Sequence, residues 1–268
     1  MRQRRPAVAG AFYPGEREKL REMLNEMIDR GAAKSKALGV ISPHAGYIYS
    51  GRAAGIIFSR VEIPEDVLVL GPNHRGAGAE VAIESEGVWL TPLGEVKLNS
   101  ELARLIASGT GLVTEDENAH RHEHSLEVQV PFLQYLRPDF KLVPICISRL
   151  SYPECEELGK AIAAAVRQWA KPVLIVASSD MSHYLSAELA KNKDKLALDK
   201  VLELDPKGLY NTVLEKDISM CGFIPAAVML VAAKELGARS AEMVDYRNSG
   251  EVSGDFSEVV AYAAVVVR

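Results

Sequence analysis

The feature that most constrains this 268-residue chain is a set of short aliphatic runs with no alternation between apolar and polar positions. Leu38-Gly39-Val40-Ile41, Val67-Leu68-Val69-Leu70 and Val173-Leu174-Ile175-Val176 have no polar face to turn toward solvent. Strands of that kind need cover on both sides, which an isolated hairpin or a one-sided sheet does not provide. Similar runs lie near 38–42, 66–70, 80–84, 141–147, 172–178, 241–246 and 258–267. Between them, segments 99–108, 125–136, 153–169, 186–203, 206–216 and 223–236 have helical period, and Pro153 stands where a helix would open. An earlier segment, after the turn Tyr13-Pro14-Gly15, sets Leu20, Met23, Leu24, Met27 and Ile28 on one face and closes at Gly31. Strands alternating with helices predict an α/β fold with a mixed, mostly parallel sheet covered on both faces. With no internal repeat, low-complexity tract or Pro/Ser-rich linker, the expectation is a single domain over 1–268.

Composition narrows the function. Hydrophobic residues make up 48% and charged residues 25%, which suits a well-packed soluble protein. A net charge of -5 supplies no basic stripe for phosphates, so nucleic acid is not an expected partner. The N-terminal apolar stretch is short and broken by Gly and Pro, unlike a secretory signal, and no run reaches the ~18 apolar residues that span a bilayer. Three cysteines without CxxC spacing suit a reducing compartment. The expectation is a cytoplasmic protein with no membrane partner.

In α/β sheets, ligands bind beyond the carboxyl ends of the strands. Three of the aliphatic runs deliver polar groups there: SPHAGYIYSG brings His44, GPNH brings His74, and ASSDMSH brings Asp180 and His183. Two imidazoles from what read as adjacent strand ends, joined by one anionic ligand, form a facial set for a divalent metal. The plainer alternative is a pair of loop histidines bonded to backbone. The third ligand stays open between Asp180, Glu127 and the Cys221 thiolate. Cys221 precedes the apolar segment of SMCGFIPAAVML, where a helix dipole favours the thiolate. Cys146 and Cys155 read as packing or surface residues.

Asp180 and His183 are spaced so that the carboxylate can orient the imidazole as a general base, or else cap the following helix. His124 opens the HSLE helix, whereas His120 and His122, in EDENAHRHEH, read as ordinary hydrogen-bonded or solvated histidines. No GxSxG elbow, P-loop or GxGxxG fingerprint is present.

Taken together, RPAVAGAFYPG, SPHAGYIYSG, GPNH, HSLEVQVPFLQ, SSDMSHY, MCGFIP, YRNSGEVSGD and VVAYAA resemble the Memo family along nearly the whole chain. The resemblance implies a three-layer α/β/α sandwich like that of the class III extradiol dioxygenases, with a non-haem metal at the end of the central sheet. It makes His44, His74 and Cys221 the metal ligands, Cys221 replacing a carboxylate, and His183 the acid/base, with Asp180 and His124 in the same pocket. The implied cofactor is Fe(II) or Cu, with Zn also compatible, and the implied activity is redox or oxygenase-like on an unknown substrate. Gln129, where animal members have a histidine, removes one ligand or proton donor, and Met181 replaces an aromatic found in some members. A different reading is a non-catalytic module that receives a peptide or an anionic ligand in the same pocket through its histidines and arginines such as Arg52 and Arg75, whose bidentate geometry favours phosphate or carboxylate; animal members of the family are linked to phosphotyrosine peptides. Microbial relatives imply a radical-SAM protein and an AMMECR-type companion as pathway partners.

Overall fold

The computed structural model describes residues 2–268. The first half contains β1 (Gln3–Arg4), α1 (Arg17–Met27), β2 (Gly39–Ser42), α2 (Tyr47–Ser59), β3 (Asp66–Pro72), β4 (Val81–Ile83), β5 (Val88–Thr91), β6 (Gly94–Leu98), α3 (Ser100–Ser108), β7 (Thr114–Glu115) and α4 (Asn118–Arg121). A 3-10 turn over Glu127–Gln129 leads into α5 (Val130–Leu136), β8 (Lys141–Ile147), α6 (Tyr152–Trp169), β9 (Val173–Ser178), β10 (His183–Leu185), α7 (Ala187–Leu202), α8 (Pro206–Glu215) and α9 (Phe223–Glu235). The chain ends in β11 (Ala241–Asn248), α10 (Gly250–Ser253) and β12 (Val259–Val267).

The strands form one mixed sheet in the order β1-β5-β6-β8-β3-β9-β2-β12-β10, with β11 on β12 and β4 joining β7 to β8. Its centre, β6-β8-β3-β9-β2, is parallel, as the βα alternation requires. Side chains leave the pleat alternately, so one strand feeds two cores. Ile41, Leu68, Leu70, Ile175 and Val265 pack beneath α3, α6, α7, α8 and α9. Val40, Val67, Val69, Val176 and Val266 pack beneath α1, α2 and α5. The expected three layers are present, and the aliphatic runs are apolar throughout because both faces are covered.

Local sequence explains the helix ends. Ser151 and Glu154 form a reciprocal capping box at the start of α6, with Pro153 in its first turn, and Ala170 ends the helix in the left-handed region at φ 57°. α9 is apolar all round because it lies between the sheet and α6 and α8. No helix among the described residues is long and apolar enough to cross a membrane.

Three expectations need correcting. The 241–246 run forms β11, a partly exposed edge strand carrying Glu242, Asp245 and Arg247, and is not covered on both faces. The helix expected over 125–136 begins as a 3-10 turn and becomes α-helical only at Val130, because the Ser125 hydroxyl is drawn to the Pro72 carbonyl at 2.8 Å and does not cap. The helix expected to run to Gly31 stops at Met27. An element that the helical pattern did not disclose is α2, whose interior holds Gly51 and Gly55. A Cβ on Gly55 would lie 2.2 Å from the Met27 carbonyl oxygen, so α1 and α2 pack closely only because that side chain is missing.

His120 is a core residue. Fully buried, it lies 3.1 Å through Nε2 from the Ala82 carbonyl and edge-on to Trp89, with ring centroids 5.8 Å apart. Burial, aided by the nearby Arg4 charge, lowers its pKa from 6.5 to about 3. As pH falls below the unfolded value, the unfolded chain takes up a proton that the native one refuses. This residue is therefore expected to cost about 1.4 kcal/mol of stability per pH unit until its folded pKa is reached. Urea unfolding of His120→Phe between about pH 6 and 4 should show a slope shallower by that amount. An unchanged slope would place the acid sensitivity elsewhere.

Candidate metal centre

β9 lies between β2 and β3, paired in parallel with both, Ser42 opposite Ser178 and Leu70 opposite Ala177. The three strands therefore finish level. His44 leaves two residues past β2, His74 two past β3, and Asp180 two past β9. The two histidine-bearing strands are thus not adjacent, as the sequence suggested; β9 separates them. Their rings still meet edge to face, with centroids 5.2 Å apart. Cys221 lies just ahead of α9, and its Sγ is 3.2 Å from His44 Nε2. The donor atoms of His44, His74 and Cys221 all fall within 4.8 Å of one another, close enough to share one ion.

Each imidazole is held from behind. His74 Nδ1 is 2.8 Å from Glu123 Oε1, while Glu123 Oε2 accepts the His74 backbone N–H at 2.6 Å. Glu123 Oε1 also accepts the N–H groups of His124 and Ser125, both at 2.9 Å. Burial opposes the charge on Glu123, but the hydrogen bond and charge of His74, the Ser125 N–H and His124 hold its carboxyl down to about 2. An ionised, buried carboxylate that only accepts requires His74 to carry its proton on Nδ1, which leaves Nε2 free. A second grouping, His74, Glu123 and His124, is close enough to bind an ion, but Glu123 is already committed to four N–H donors. It orients the site and is a residue that sequence reasoning missed. Its signal was a carboxylate directly before His124.

His124 stacks on His74, centroids 4.6 Å apart, and meets His44 edge-on at 5.5 Å. Burial lowers its pKa to about 4. His44 is buried, and burial together with the neighbouring histidines holds it well below the usual imidazole range. Burial thus disfavours a proton charge on both His44 and His124.

Asp180 and His183 are placed differently from expectation. The Asp180 carboxylate accepts the His44 backbone N–H at 2.7 Å, so it fixes the loop that carries His44. Burial pushes its pKa up to about 6 against that hydrogen bond and the His183 charge. His183 is oriented by Ser219 instead: Nδ1 is 3.0 Å from the Ser219 carbonyl, and its backbone N–H reaches the Ser219 hydroxyl at 2.8 Å. A carbonyl only accepts, so Nδ1 bears the proton and Nε2 is the free basic atom. Glu127 is spent elsewhere. It pairs with the buried Arg4 at 2.7 Å and accepts from Ala7, Val8 and the Tyr13 hydroxyl, which removes it from the ligand candidates.

The helix-dipole expectation for Cys221 is outweighed without a metal. Burial, then the Asp180 charge, pushes the thiol up, although the Asp180 backbone N–H donates to the sulfur at 3.3 Å. Gln129, expected to remove a proton donor, still donates: its amide reaches the Ser178 hydroxyl at 2.8 Å and the Pro43 carbonyl at 2.9 Å. Arg52 and Arg75 are exposed, Arg75 donating from Nε to the His122 carbonyl at 3.3 Å. Cys146 and Cys155 are buried packing residues.

Fold and site together define a three-layer α/β/α protein in which two imidazoles and a thiol converge beyond the ends of a parallel sheet. The Memo-like protein family pattern matches residues 4–266. A MEMO1 family protein of Aquifex aeolicus is 42% identical over 268 residues, covering 99% of both chains. One from Methanococcoides burtonii is 44% identical over 267 residues, 99% of this chain and 100% of its own. One from Archaeoglobus fulgidus is 44% identical over 265 residues, 99% of each. The chain belongs to the Memo family. An uncharacterized Escherichia coli K12 protein, JW3007, superposes with a TM-score of 0.55 at 14% identity, covering 85% of this chain and 99% of that one. That likeness is one of fold.

Gly222 sets the approach of Cys221. A Cβ there would lie 2.3 Å from the Ser178 carbonyl oxygen and 2.5 Å from Ser179 Cβ. Gly222→Ala is expected to lose about 1–3 kcal/mol in chemical unfolding as the start of α9 is pushed back. The displaced Cys221 should react faster with an aromatic disulfide, while Cys146 and Cys155 stay protected. Unchanged stability and reactivity would mean that the strand end has room the geometry denies.

Proposed function

We propose that this protein is a metal-dependent redox or oxygenase-like enzyme whose ion is held by His44, His74 and Cys221. The observation that carries the reading is the convergence of those donors within 4.8 Å, with His74 already turned by Glu123 so that Nε2 is free. Two imidazoles and a thiolate suit Fe(II), Cu or Zn better than a hard oxygen-seeking cation, and the sulfur ligand favours the softer, redox-active ions. When bound, Fe(II) or Cu supplies one-electron chemistry that no side chain here possesses. The chain's own residues supply the rest. Asp180 pins the His44 loop, and His124 stacks on His74 as a flat, neutral wall beside the donors. His183, its Nδ1–H fixed by Ser219, offers Nε2 as the atom that takes up or returns a substrate proton.

A second reading keeps the pocket without the chemistry: a module that receives a peptide or an anionic ligand. Arg75 favours it, being exposed directly beside His74 with only its Nε engaged. Metal content separates the two. After anaerobic loading with Fe(II), Cu(I) or Zn(II), the wild type should retain close to one ion per chain, and His44→Ala and Cys221→Ser should lose it. Glu123→Gln should keep the ligands but bind about 10–100-fold more weakly. Absence of binding, or binding indifferent to His44 and Cys221, would reject the enzyme reading and leave ligand recognition.

A further inference from the structure

Ser178 ends β9 and is fully buried behind His44. Its Oγ has three neighbours: the Ser125 carbonyl oxygen at 2.6 Å, Gln129 Nε2 at 2.8 Å and His44 Nδ1 at 2.9 Å. A hydroxyl has one proton and two lone pairs. The Ser125 carbonyl can only accept, so the proton lies there. Gln129 Nε2 can only donate, and its orientation is fixed because the same nitrogen faces the Pro43 carbonyl at 2.9 Å; a flipped amide would set oxygen against oxygen. One lone pair remains on Ser178, and an N–H on His44 is what satisfies it.

We propose that Ser178, saturated by Ser125 and Gln129, is a positioning residue that fixes His44 as the Nδ1–H tautomer and leaves Nε2 a bare lone pair facing Cys221. In the metal-free protein the Cys221 S–H then donates across the 3.2 Å to Nε2. Glu123 does the same for His74 with a charge; Ser178 does it for His44 without one. His44 is thus preset by a neutral partner in the core. The tautomer follows from hydrogen bonds alone, whereas its value for metal uptake rests on the enzyme reading above.

The test is a long-range proton–nitrogen correlation spectrum of protein labelled with nitrogen-15 histidine, chelator-treated, at neutral to mildly alkaline pH. The nitrogen without a proton resonates well downfield of the one that carries it, and the His44 signals are identified by their loss in His44→Gln. The wild type should show His44 protonated on Nδ1 alone. Ser178→Ala should collapse that pattern toward a mixture of tautomers and weaken Zn(II) binding about 10–100-fold, while Ser178→Thr, which keeps the hydroxyl, should restore the single tautomer. An Nε2–H signal in the wild type overturns the proposal without recourse to any variant, and so does an unchanged pattern in folded Ser178→Ala. Zn(II) that leaves the His44 nitrogens unmoved would instead overturn the enzyme reading, with the tautomer assignment intact.

Discussion

Parallel backbone pairing of β9 with β2 on one side and β3 on the other is the constraint on which this molecule depends. Because three strands end in register, three loops begin at one height, and their first polar side chains have no separate places to go. The pairing also buries all three strands on both faces, which is why α1, α2 and α5 on one side and the α6–α9 layer on the other are obligatory. Convergence of donors is thus a product of the sheet, and the loops need only aim.

That aim is set by groups that are mostly not donors themselves. Asp180 grips the His44 backbone, Glu123 grips both the backbone and the ring of His74, and Ser219 grips His183. Burial lowers the pKa of His44 and of His124 and pushes the Cys221 thiol up, so these three groups favour their uncharged forms. The nearest formal charges are carboxylates, Glu123 held down to about 2 and Asp180 pushed up to about 6, and both favour a positive guest.

The sheet was legible because apolar runs such as 67–70 and 173–176 admit one environment, and the strand-end histidines His44 and His74 because a Pro lies within the two residues before each. α2 was not, since Gly51 and Gly55 weaken helical propensity while serving a contact with α1 that sequence does not display. Edge elements such as β1, β7 and β10 are two or three residues long, too short for any period to show. In the site, residue type was readable but partnership was not. Asp180 stands three positions from His183 and bonds instead to His44, at a separation of 136 residues, and Glu123 gains its meaning only from the loop after β3. Such long-range pairings are decided by topology, which local pattern does not encode.

The pairing of β12 with β2, Val265 opposite Ile41, has a consequence for how the molecule is made. The strand that carries His44 emerges during synthesis long before its second neighbour in the sheet. Until Val259–Val267 arrives, β2 has an open edge, a template for the wrong partner. A nascent chain halted before Val259–Val267 would carry every candidate ligand and still leave the strand that presents His44 unpaired along one edge.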